Sequence, residues 1–203
     1  MFWVGLDIGQ KRHGVVILDY SNKKLVASTV AHRASDIVPF VVEHVPKESE
    51  LTVIYEIPTP YTRSVTALFI TAANIGATLV LFRQTFPNVR FMFLPRQFVK
   101  HVLLGTTRAG DREVRSFLKD WWSNKLVGVK IRGDAWAALA VLTTVMLVKN
   151  EPDYDIVRMW RDFCSVWNSV GQNLIEGDIQ DDTQILLGLL KEVSSDDVEI
   201  NNR

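Results

Sequence analysis

Three strand-like runs follow one another at the head of the chain: Phe2–Asp7, Gly14–Asp19 and Lys24–Val30, with "SNKK" as the turn between the last two. The first run is apolar enough for a core sheet, yet it ends in a carboxylate, Asp7, followed by Ile8, Gly9 and a short basic turn. A fourth run, "LTVIYE", ends the same way, in Glu56. Between them "SDIVPFVVEHV" reads as a helix capped by Ser35 or Asp36, with Pro39 in its first turn. After Glu56, "TRSVTALFITAANIGA" has helical apolar spacing and is expected to stop near Gly76. "TLVLF" and "VRFMFL" then read as further strands. Past Pro95 come a short helix to about Leu104, a Gly/Thr/Arg loop, the helix "DREVRSFLKDWW" and an apolar helix from Asp134. This order of elements predicts an α/β fold, a mixed β-sheet flanked by α-helices, over residues 1–150.

Residues 151–193 change character. "IVRMWRDFCSVWNSV" and "DTQILLGLLKEV" predict a C-terminal helical extension, and residues 194–203 a flexible acidic tail. Hydrophobic residues are 47% of the 203, which excludes a disordered chain. The single cysteine, Cys164, excludes a disulfide framework and a multi-cysteine metal site and suits a reducing compartment. With charge arriving by Asp7 and no secretory pattern before it, a cytoplasmic location is expected. The longest apolar run, "AWAALAVLTTVMLV", is about 14 residues, so no membrane span is expected.

Asp7, Glu56 and Asp134 each stand at a strand end or helix start beside strongly apolar sequence. A lone strand-end aspartate commonly serves a turn, and Asp134 before Ala-Trp-Ala-Ala makes a good helix cap. Glu56, with Pro58 and Pro60 beyond it, has no such structural role. If the first and fourth strands are neighbours, the carboxylates converge and repel one another. Divalent cations relieve that repulsion, and hard oxygen ligands select Mg²⁺ or Mn²⁺ over zinc. Two such ions at about 3.5–4 Å suit phosphodiester cleavage.

In this order the motifs carry a family resemblance. Asp7-Ile8-Gly9 on the first strand, Glu56 in "VIYEIP", the passage "NIGATLVLF", the segment "FLPRQFVKHVLLGTTRAGDREVRSFL" and the Asp-Ala helix "GDAWAALAVL" together resemble the RuvC family of Holliday junction resolvases, ribonuclease H-like nucleases. The resemblance spans about residues 3 to 148. It implies a Mg²⁺-dependent homodimeric endonuclease that hydrolyses four-way or other branched DNA, with Asp7, Glu56 and Asp134 as catalytic metal ligands. One departure stands out. The family pattern has two acidic residues, or an acid and a histidine, three apart at the last helix, and here only Asp134 is present. Its missing partner is Ala137 or Ile131, "DAWA" favouring the latter. Asp111 is the nearest substitute, although it also reads as a helix cap.

Net charge is zero, but it is segregated. Between Pro95 and Arg132 there are nine basic residues against three acidic; from Glu176 onward, eight acidic against two basic. Arg108 and Arg112 flank the glycine loop and are candidate phosphate contacts. Lys11 and Arg12, in the turn beside Asp7, are candidates for the scissile strand. Tyr61 and Arg63, in "PTPYTR", are candidates for stacking on or clamping opened bases. Two other readings remain open: the phosphate motif of an actin-like ATPase or sugar kinase, which "GLDIGQKRHGVVILD" also resembles, and a non-catalytic DNA-binding relative of the nuclease fold.

Overall fold

The computed structural model describes residues 1–57, 64–124, 126 and 128–150. Tyr61, Arg63 and the extension and tail from residue 151 lie outside the described residues. Residues 1–144 form one unit; of a second, 145–203, only the end of a helix is described.

Strands β1 (Phe2–Ile8), β2 (His13–Asp19) and β3 (Lys24–Ala31) form an antiparallel meander. After helix α1 (Ile37–Val42), strand β4 (Leu51–Ile57) returns parallel to β1. Helix α2 (Val65–Thr85) then leads to β5 (Val89–Pro95), parallel to β4. The sheet order is β3-β2-β1-β4-β5. Helices α3 (Arg96–Leu104), α4 (Asp111–Trp121) and α5 (Ala135–Asn150) complete the described chain.

Alternation along β1 sorts its residues onto two faces. Val4, Leu6 and Ile8 join one buried cluster with Val15 and Ile17 of β2, Ile37 and Val41 of α1, and Ile75 and Phe82 of α2. The other face carries Trp3, Gly5 and Asp7, and α5 lies directly on it. A Cβ at Gly5 would fall 2.3 Å from the Ala138 carbonyl oxygen, and one at Gly14 would fall 2.2 Å from that of Asp134. These two glycines let helix backbone rest on sheet backbone. Trp122, fully buried, ties the α4 end to α5 by donating from Nε1 to Thr143 Oγ1 at 2.9 Å.

Helix α2 corrects two expectations. It does not stop at Gly76, and "TLVLF" is its C-terminal half, not a strand. The continuing signal is burial at helical spacing: Ile75, Thr78 and Phe82 face the sheet. Gly76 is exposed with open space around it, so it weakens the helix without ending it. Thr78 Oγ1 satisfies itself within the helix, donating to the Asn74 carbonyl at 2.7 Å. The full helix is also longer than the apolar run the sequence pattern marked, and the expectation of no membrane span stands. By length and composition α2 is apolar enough to cross a membrane, because Thr71, Asn74 and Thr78 interrupt the apolar run without adding charge. Its buried residues on the sheet, and the Asn74 Nδ2 hydrogen bond to the Gly9 carbonyl at 3.0 Å, make it a helix of the folded unit.

The glycines separate into opposite classes on substitution. Gly14→Ala forces a Cβ into helix backbone and is expected to lower stability by at least about 2 kcal/mol, the upper part of the ordinary range for added core volume or more. Gly76→Ala meets open space in a helix interior and is expected to raise stability by roughly 0.5–1 kcal/mol. Urea denaturation of the two variants checks both signs.

Candidate active site

The pairing of β1 with β4 brings the first two carboxylates together. Leu6 stands opposite Tyr55, so Asp7 and Glu56 follow one residue further along adjacent parallel strands and project to the same face. The third arrives through β2. Asp7 pairs across the sheet with Gly14, and it is over Gly14 that the Asp134 backbone rests. Asp134 opens α5, its carbonyl accepting from the N–H groups of Ala137 and Ala138 at 3.0 and 3.3 Å. All three acids line one pocket, together with Arg96, Lys100, Asp111, Arg115, Trp136 and Ala137.

Asp111 belongs to this site. Gly110, not Asp111, occupies the cap position of α4, and Glu113 Oε2 accepts its N–H at 2.6 Å. Asp111 is the first helical residue, and its carboxylate turns to Arg96. The Arg96 guanidinium donates from Nη1 to Glu56 Oε1 at 3.0 Å and from Nη2 to Asp111 Oδ1 at 2.5 Å. A second arginine sits on Asp134, with Arg12 Nε 3.1 Å from Asp134 Oδ2. Among the described residues no three carboxylates or imidazoles stand close enough to form a ready cation cage. Two arginines occupy the acidic oxygens instead.

The electrostatics follow from this crowding. Burial, then the negative charges of Glu56, Asp134 and Asp111, push the Asp7 carboxyl up to about 7 against the opposing pull of Arg96. Burial also raises Glu56, whose side chain is 11% exposed, and the Arg96 charge and hydrogen bond hold it back only in part. The donor set suits a hard divalent cation: carboxylates on several elements whose ionised forms are disfavoured by burial and by one another.

Of the two positions for the missing acid, Ala137 lines this pocket one helical turn beyond Asp134, whereas Ile131 is buried and does not. The expected phosphate contacts distribute unevenly. Arg12 pairs with Asp134, while Lys11, Arg108 and Arg112 are exposed and outside the pocket lining. The pocket cations are Arg96, Lys100 and Arg115, which composition alone does not single out. Arg96 becomes legible only once β4 and β5 are known to be parallel neighbours. Glu56 then stands opposite Leu94, two residues before Arg96.

A five-stranded mixed sheet in this order, flanked by helices, is a ribonuclease H-like fold. Within that class the chain has a RuvC-type fold. It is similar to the Thermus thermophilus RuvC structure, with TM-score 0.56 at 19% identity over 74% of this chain and 96% of the other. It is likewise similar to T. thermophilus RuvC in complex with a Holliday junction substrate, with TM-score 0.54 at 17% identity over 72% and 93%. No family model and no curated protein sequence matches the chain.

Asp7 gives the site a pH signature in the metal-free protein. Its carboxyl ionises near 7 when folded, against 3.8 for an ordinary aspartate, so between these values the folded state holds the extra proton. The contribution of this group to stability in EDTA is therefore expected to be highest at the acidic end of that window. It falls as pH rises through it, with a slope of at most about 1.4 kcal/mol per pH unit from this group, and levels off above 7. Asp7→Asn should flatten the curve and be the more stable chain at pH 8. Urea unfolding of both chains from pH 5 to 8 measures this; identical slopes exclude Asp7 as the source.

Proposed function

We propose that the protein is a metal-dependent, structure-selective endonuclease that hydrolyses four-way or other branched DNA junctions. The observation that carries this reading is the convergence of Asp7, Glu56 and Asp134, from two strands and a helix start, in one pocket of a RuvC-type fold. These three would hold Mg²⁺ or Mn²⁺, as one ion or two, with Asp111 beside them. Bound there, the cation supplies Lewis acidity for attack of water on a phosphodiester. The chain's own part is to place the phosphate. Lys100 and Arg115 line the pocket among the acids, giving it cationic as well as anionic walls. Exposed Lys11, Arg108 and Arg112 extend positive charge beyond it for the flanking backbone. The neighbouring RuvC in complex with a Holliday junction substrate supports the choice of DNA class.

A non-catalytic, junction-binding role is the second reading. It is favoured by the arginines on the acidic oxygens and by Ala137 in the pocket wall. Cleavage of a labelled four-way junction with Mg²⁺, Mn²⁺ or EDTA separates the two. On the nuclease reading, Asp7→Asn, Glu56→Gln and Asp134→Asn each lower cleavage by at least about a hundredfold, while junction binding persists. Metal-independent binding with no cleavage by the wild-type chain selects the second reading.

A second copy completes the assembly in this proposal. Opposite its buried side, α2 exposes Val65, Phe69, Ala73, Gly76 and Val80 at helical spacing, with Phe69 71% exposed. A stripe that apolar, with small residues at its centre, suits close helix packing against its own symmetry mate. Two copies would carry two pockets to two strands of one junction. Light scattering is expected to give a dimer mass for the full chain and a monomer mass for Phe69→Glu; a monomeric wild type excludes this assembly.

A further inference from the structure

Arg96 joins two acidic walls of the pocket. It leaves the end of β5 as the first residue of α3, directly after Pro95. One arm of its fork takes Glu56 at 3.0 Å and the other takes Asp111 at 2.5 Å. Glu56 is well buried and Asp111 is on the rim, with 72% of its side chain exposed, so the guanidinium spans the pocket from floor to edge. Arginine suits this task because its planar fork donates to two acceptors at once, whereas a lysine offers a single point charge. The oxygens it holds include one from Glu56, a residue assigned above to the metal.

We infer that Arg96 is an internal latch for the metal site: its guanidinium occupies the Glu56 and Asp111 oxygens, and a divalent cation must displace it to bind. Arg96 is then a positioning residue, setting how tightly the metal-free pocket is closed and how readily it accepts an ion. The latch rests on the metal-site reading of the pocket. It adds a competition between a resident guanidinium and the incoming cation. Two effects follow together. Removing the fork frees Glu56 for the cation, and it also leaves buried negative charge without its partner when no metal is present.

The test is calorimetric titration of Mn²⁺ alone into the full chain, without DNA, alongside thermal unfolding in EDTA and in Mn²⁺. Arg96→Gln is expected to bind Mn²⁺ about ten- to a hundredfold more tightly than wild type. It should also melt lower in EDTA and regain most of the difference in Mn²⁺. Arg96→Lys keeps the charge but reaches only one carboxylate, and is expected to tighten binding several-fold; being the milder change, it carries the test if Arg96→Gln does not fold. Equal Mn²⁺ affinity in wild type and Arg96→Lys, with tightening only in Arg96→Gln, reduces the effect to net charge and overturns the latch. Weaker binding in the variants also overturns it, making Arg96 a support of the ligands. In both cases the nuclease reading stands, because the wild-type chain binds the ion. Absence of Mn²⁺ binding by all three chains overturns the latch and the metal site together.

Discussion

The contact between the α5 backbone and the sheet at Gly5 and Gly14 is the constraint on which the site depends. A helix normally stands off a sheet by the thickness of its side chains. Here the helix comes down until carbonyl oxygens occupy the space that two Cβ atoms would need. Because Gly14 pairs with Asp7, the residue that rests on it, Asp134, is delivered beside the first strand's carboxylate. The small residues that follow along α5, Ala135 and Ala138, are fully buried. The glycines that permit close packing therefore also set the spacing of the acids.

Bringing acids to the ends of adjacent inner strands creates an electrostatic problem that the described chain answers with arginine. Asp7 is met mainly by protonation, its carboxyl being raised to about 7 by burial and by its acidic neighbours. Glu56 and Asp111 share Arg96, and Asp134 takes Arg12. Each pair has at least one exposed member, so screening limits its contribution to overall stability. Its effect is local and directional: the pairs decide which oxygens face the pocket and which are engaged.

Helix α2 shows where sequence patterns mislead. Apolar residues surround it on nearly every side, so periodicity alone cannot say which face is buried, and a mid-helix glycine followed by "TLVLF" looks like an end and a new strand. Residues 75, 78 and 82 meet the sheet, and the opposite stripe remains exposed. With apolar residues on both the buried and the exposed side, the amphipathic signal that normally marks the core-facing stripe is lost.

The strand runs, the strand-terminal positions of Asp7 and Glu56, the helix start at Asp134 and the mixed α/β class were all legible in the chain itself. Local periodicity and turn chemistry record them directly, and the order of motifs pointed to the RuvC-type fold. The role of Asp111 was only half legible, because an acid in the first turn of a helix favours that helix with or without a site. Arg96 was not legible at all. Its partners lie 40 residues before it and 15 after, and nothing in the local sequence specifies that β4 and β5 run side by side. The choice of Ala137 over Ile131 as the wall residue was likewise decided by the rotation of α5 on the sheet. Sequence determines what each segment can be on its own; which charges meet depends on register and close approach, and those exist only once the sheet and its helices have packed.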